Sequence, residues 1–98
     1  MYCLGGKNEN GILSSVFQLN LSTSEWIIKS DMWGARTDFG ATVVGNKIYV
    51  AGGATINYGK LDRFEVFNCN TNFWKQLSPM PYKAYGLGMA VLDGFIYV

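Results

Sequence analysis

The chain spells one short apolar word three times, and that repetition constrains its fold more than any other feature. "MYCLGG" covers Met1 to Gly6, "KIYVAGG" covers Lys47 to Gly53, and "FIYV" runs from Phe95 to Val98. The copies extend into a period of 48 residues: Trp26 aligns with Trp74, Met32 with Met80, Gly40 with Gly88, Val43 with Val91, Ile48 with Ile96 and Tyr49 with Tyr97. Phe17 and Asn20 align with Glu65 and Asn68 at the same offset. The double glycines Gly5-Gly6 and Gly52-Gly53 stand 47 apart, so one residue has entered after the second pair, where "KNENGILSS" becomes "ATINYGKLDR". A length change confined to a polar, glycine-containing segment marks a surface loop between fixed strands. A sustained period of this size marks a repeat architecture.

Within one period the pattern is that of strands. "GATVV" and "GMAVL" are short apolar runs, and "KIYVAGG" is β-branched and aromatic. "RFEVFN" alternates, with Phe64 and Val66 on one face and Glu65 and Phe67 on the other. "NFWKQL" supplies a fourth strand. Gly45-Asn46, Asp93-Gly94 and the run Asn68 to Asn72 are turn signals between them. The paired glycines predict positive φ or the close approach of another backbone. No segment carries a helical period with a cap. Four antiparallel strands per period predict a propeller blade.

Composition narrows the function classes. Apolar residues make up 49% of the chain and charged residues 15%, which predicts a folded protein. The net charge is +1 and the cations are scattered singly, so neither nucleic acid nor an anionic membrane is expected as the main partner. No apolar run reaches the roughly 18 residues of a membrane span, and with strand-like sequence directly after Met1 no signal peptide is expected. Cys3 and Cys69 show no metal spacing and read as reduced thiols of a cytoplasmic protein.

Catalytic motifs fail on inspection. "GGATINYGKL" has five residues between Gly53 and Gly59 and no hydroxyl after Lys60, unlike a phosphate loop. "GLGMAV" puts Val91 where a dinucleotide fingerprint needs its third glycine. The absence of histidine removes the usual general base, the common triads and most zinc chemistry. The seven acids are expected in loops or on exposed strand faces, as solvated charges. No cofactor and no catalytic residue is expected.

The double glycine, an aromatic strand, a Trp about 20 residues on, then Met and a small-residue strand resemble the kelch repeat over essentially the whole chain. "YVAGG", "FNCNTNFW" and "PMPYKAYGLGMAVLDGFIYV" carry the resemblance in order and spacing. It implies an all-β fold: a partial kelch-type β-propeller of about two four-stranded antiparallel blades, with residues 1–98 one run of repeats. Propellers close with about four to eight blades, so the chain is expected to need further blades, from a longer chain or by self-association, and to be weakly stable alone. The resemblance also implies protein recognition, as the substrate-binding part of a BTB-kelch ubiquitin-ligase adaptor. The alternatives are an actin-associated kelch protein and, against the missing histidine, an enzyme on a propeller scaffold. Two departures stand out: the family's Arg four residues after the Met is Arg36 in one repeat but Ala84 in the next, and Cys69 replaces the usual Pro.

Trp26, Trp74, Tyr49 and Tyr97 recur at the repeat period and are expected between blades. Trp33 breaks the period, with Pro81 as its counterpart, and is a better candidate than Trp26 or Trp74 to be exposed and used. Cys3, at the position of Val50, is expected to be buried and inert, and Cys69 to be the more accessible thiol. The family's partner face implies two loop sets. One follows the double glycine: Lys7, Asn8 and Glu9, then Thr55, Ile56 and Asn57. The other enters the inner strand: Arg36, Thr37 and Asp38, with Ala84, Tyr85 and Gly86 as counterparts. Of these, Lys7, Asn8, Glu9, Thr37, Asp38, Thr55, Asn57 and Tyr85 are the candidate partner-binding residues, facing a polar peptide segment with Tyr85 as aromatic anchor. Arg36 is expected to be structural.

Overall fold

The computed structural model describes residues 1–55 and 59–98, and every described element is a strand. Three sheets follow one another. The first has the order β1-β4-β5: β1 Tyr2–Leu4, β4 Val16–Asn20 and β5 Glu25–Lys29. The second is a complete four-stranded blade. It comprises β6 Gly40–Val44, β7 Lys47–Ala51, β10 Phe64–Asn68 and β11 Phe73–Leu77, side by side in the order β6-β7-β10-β11. The third pairs β12 Ala90–Leu92 with β13 Phe95–Tyr97. All pairings are antiparallel. Two segments read as plain loops instead form small hairpins: β2 Lys7–Asn8 with β3 Gly11–Ile12, and β8 Ala54–Thr55 with β9 Gly59–Lys60.

Local chemistry sets the register. Gly45, at φ 60°, leads a two-residue turn that pairs Val44 with Lys47, as a type II′ hairpin requires. One period on, Asp93 and Gly94 both have positive φ and pair Leu92 with Phe95, the I′ pattern of Asp-Gly. The outer turns are copies of each other. Asn68 Oδ1 accepts the amides of Asn70 and Thr71, and Asn20 Oδ1 those of Ser22 and Thr23. These Asx turns fold the chain back on itself.

The core lies in the seam between the first and second sheets. Ile48, Val50 and Phe67 are buried there, with Tyr2, Leu4, Phe39, Cys69 and Trp74 packed around them. Burying each large side chain contributes about 1.5–3 kcal/mol. Tyr2 meets Phe67 edge-on at 6.2 Å, and Trp74 covers Phe67 at 5.1 Å. The Trp74 indole donates to the Ser30 carbonyl at 2.9 Å, while Asn72 Oδ1 accepts the Ser30 amide at 2.9 Å. The second blade therefore clasps the end of the first.

Several expectations change. Trp26, the counterpart of Trp74, is 54% exposed, and Tyr97 is exposed as well; Tyr49 is half-buried, stacked on Phe64 at 5.8 Å. The repeat put the two tryptophans on equivalent faces, but only one of those faces has a sheet against it in this chain. The cysteines reverse for the same reason. Cys3 pairs with Phe17 as Val50 pairs with Glu65, so its register is as expected. It is nevertheless exposed, whereas Cys69 is partly covered and packs on the core. Burial, and then a hydrogen bond with the Cys69 side chain, push the Tyr2 phenol up to about 12. Glu65, expected on an exposed face or in a loop, is completely buried.

Candidate functional site

At one end of the blades the segments after the double glycines meet the connections entering the inner strands. Backbone hydrogen bonds lace them together. Gly6 N donates to the Arg36 carbonyl (3.1 Å) and Arg36 N to the Leu13 carbonyl (3.1 Å), which ties the first hairpin to the first connection. Thr37 and Ala54 exchange bonds of 3.1 and 2.9 Å, which ties that connection to the second hairpin. Gly53 N donates to the Ala84 carbonyl at 2.9 Å and Ala84 N to the Leu61 carbonyl at 3.0 Å, joining the second connection. Gly86 N donates to the Asp38 carbonyl at 2.7 Å, linking the two connections directly. Hairpins and connections thus form one platform. The turns at the opposite end meet separately, where Cys69 N donates to the Asn46 carbonyl at 2.9 Å.

The double glycine is what lets the platform close. Gly52 and Gly53 have φ of 64° and 99°, a region that other residues avoid. A Cβ on Gly52 would sit 2.6 Å from the Ala84 carbonyl oxygen, and one on Gly53 2.8 Å from that of Thr37. Both expected reasons for glycine, positive φ and close backbone approach, apply together.

Beneath the platform lies a charged cluster. The Arg36 guanidinium is fully buried; Nη2 pairs with Glu65 Oε1 and Nη1 donates to the Gly52 carbonyl at 3.2 Å. Arg63 Nε lies 3.4 Å from the same carboxylate oxygen, and Arg63 Nη2 donates to the Trp33 carbonyl. Burial pulls the Arg36 pKa below its ordinary value, and the neighbouring Glu65 charge pulls it back up. Arg36 is structural, as expected. Glu65 and Arg63 were missed. The signal was available: Glu65 shares a strand face with Phe67, so a carboxylate on the core face needed a cation, and both arginines, Arg36 and Arg63, lack a repeat partner.

The platform carries most of the candidate residues. Lys7, Asn8 and Glu9 are exposed on the first hairpin, where Asn8 Oδ1 accepts the Asn10 amide at 2.8 Å. Thr37 is half-buried at its bridge to Ala54, and Asp38 is exposed at φ 56°. Thr55 is half-buried and pairs with Gly59. Tyr85 is 54% exposed, with Lys60 Nζ 5.5 Å from its ring centroid. Ile56 and Asn57 lie outside the described residues. Trp33 is 51% exposed, no more than Trp26 at 54%. Among the described residues, no His, Cys, Asp and Glu cluster could hold a metal, and no helix is long and apolar enough to cross a membrane.

Comparison with known proteins agrees with this architecture. The Kelch motif family matches residues 1–32 and 35–81. Kelch-like protein 41a of Danio rerio is 34% identical over 98 residues, covering 99% of this chain. Beta-scruin of Limulus polyphemus is 30% identical over 98 residues, covering 100% of this chain. This chain spans 16% of the length of the first relative and 10% of the second. The solved structure of YjhT is similar in fold, with a TM-score of 0.76 at 19% identity, over 95% of this chain and 32% of that one.

Proposed function

This chain belongs to the Kelch motif family, and from that premise we propose that it is a protein-recognition module whose partner binds the laced platform. The observation that carries the reading is a rigid backbone with unlike side chains on top. The hydrogen-bonded bases of the hairpins and connections are fixed, while exposed Lys7, Glu9, Asp38 and Tyr85 have no chemical equivalents one period away (Ala54, Ile56, Gly86 and Thr37). A fixed scaffold bearing variable polar and aromatic groups suits recognition of a polar peptide segment. Within that reading the chain is the substrate-binding part of a ubiquitin-ligase adaptor, non-catalytic, without a cofactor, and cytoplasmic. Its partner is a protein rather than nucleic acid or a membrane, and further blades or a second copy complete its ring. The alternative is an actin-associated kelch protein; a BTB domain in the same polypeptide decides for the adaptor, and co-sedimentation with filaments decides for actin.

The test is a scan of both ends against captured protein partners. Tyr85→Ala and Asp38→Ala are expected to weaken binding by about tenfold or more each, as truncation of an anchor does. Lys47→Glu, at the opposite end, is expected to leave it unchanged. Loss of binding with Lys47→Glu, and retention with the other two, overturns the assignment.

A further inference from the structure

Three side chains that fail to repeat meet beneath the platform, and the backbone of a fourth non-repeating residue, Trp33, joins them. Trp33 and Arg36 have Pro81 and Ala84 as counterparts one period on, and Arg63 and Glu65 have Ser15 and Phe17 one period back. In the fold they are joined: Glu65 pairs with Arg36 and with Arg63, and Arg63 holds the Trp33 carbonyl. Trp33 lies in the connection between the first two sheets rather than on an outer strand like Trp26.

We infer that Trp33 is an anchor of the partner-binding face and that Arg63, held by Glu65, positions it for an extended segment pairing an apolar side chain with a carboxylate. This rests on the recognition reading above and adds residues to it. The backbone at Trp33 is held on both sides. Met32 is 3% exposed and its amide donates to the Ser14 carbonyl at 2.8 Å, while Arg36 is fully buried. Gly34, at φ 96°, turns the chain directly after the indole, and Arg63 Nη1 lies close by, 3.7 Å from where a Cβ would stand. A half-exposed indole on an immobilised backbone meets a partner with little ordering left to lose, which is the profile of an anchor.

The carboxylate follows from charge. Two guanidiniums share the one Glu65 carboxylate, so the cluster keeps a net positive charge, and the Arg63 side chain is 27% exposed. Arg63 Nε is buried against Glu65, so the exposed part of the guanidinium is what a partner meets. An acidic group set beside the apolar residue on Trp33 completes that charge.

The probe is a phage-displayed library of random short peptides selected on the full-length protein, with its further blades in place. Enrichment of peptides that pair an apolar or aromatic residue with Asp or Glu is expected. Their affinity is expected to fall about tenfold or more with Trp33→Ala, and less with Arg63→Gln. Arg63→Gln is also expected to flatten the salt dependence of binding, which loss of positioning alone would not do, and Arg63→Lys to restore that dependence without full affinity. Peptides that lose binding with Tyr85→Ala but keep it with Trp33→Ala overturn this inference and leave the recognition reading standing. No enrichment, or peptides sensitive only to Lys47→Glu, overturn both.

Discussion

Trp74 and Trp26 hold the same position in successive repeats, on outer strands paired in the same way. Trp74 reaches across the seam to the Ser30 carbonyl and covers Phe67, in contact with the buried core. Trp26 rests edge-on against Phe17 of its own sheet, and 54% of it is exposed. The sheets are near copies, so the difference lies in what packs against them. A repeat fixes which way a side chain points; the neighbouring blade decides what that direction is worth.

The largest way to break this contrast is at Glu65. Glu65→Gln leaves the buried Arg36 guanidinium without its counter-charge, and thermal or denaturant unfolding is expected to show a loss of about 3–5 kcal/mol. At the equivalent position of the less covered sheet, Phe17→Leu is expected to cost under about 1.5 kcal/mol. Replacing Arg36 and Glu65 together by Met and Leu is expected to cost less than Glu65→Gln alone, since only the partly exposed Arg63 is then left without the carboxylate.

The tryptophans give the next effect. Trp74→Phe keeps the aromatic cover but strands the Ser30 carbonyl, for an expected loss of about 1–2 kcal/mol. Trp26→Phe is expected to stay within about 0.5 kcal/mol. Equal losses would mean that the two sheets are equally covered.

Alkaline titration sharpens the same seam. The Tyr2 phenol is raised from 10.0 to about 12, so the folded state favours its neutral form. That contribution is fully present below about pH 10 and is lost as the pH rises toward about 12. Tyr2→Phe is expected to remove this part of the alkaline destabilisation, and an unchanged pH profile would contradict the burial of the phenol at the seam. The smallest effect is kinetic: a thiol reagent is expected to label exposed Cys3 before Cys69, which is partly covered at the seam.

What the sequence made legible was mostly local. The strands from Gly40 to Leu77, the Gly45-Asn46 and Asp93-Gly94 turns and the double glycines could all be read because alternation and turn chemistry act between residues close along the chain. What depends on a neighbour was harder to read. Cys3 has the strand register expected of it but lacks a sheet against its face, so its burial was misjudged. Glu65 looked like one more solvated acid until Arg36, brought from 29 residues away, appeared beside it. The two small hairpins escaped because strands two residues long carry no period, and the platform supplies hydrogen bonds that Lys7–Asn8 and Ala54–Thr55 do not announce. Most of the candidate residues were placed on one end of the blades by resemblance. The lacing beneath them was not visible.

That lacing is the central claim, and native-state hydrogen exchange tests it without a partner. The amides of Gly6, Thr37, Gly53, Ala54, Ala84 and Gly86, all donors within the platform, are expected to be protected to a degree approaching those of β10. Asn10, whose amide meets only the Asn8 side chain in an exposed turn, is expected to exchange fast. Exchange of the six platform amides at the rate of Asn10 would show the hairpins and connections to be independent loops, and would contradict a fixed recognition face.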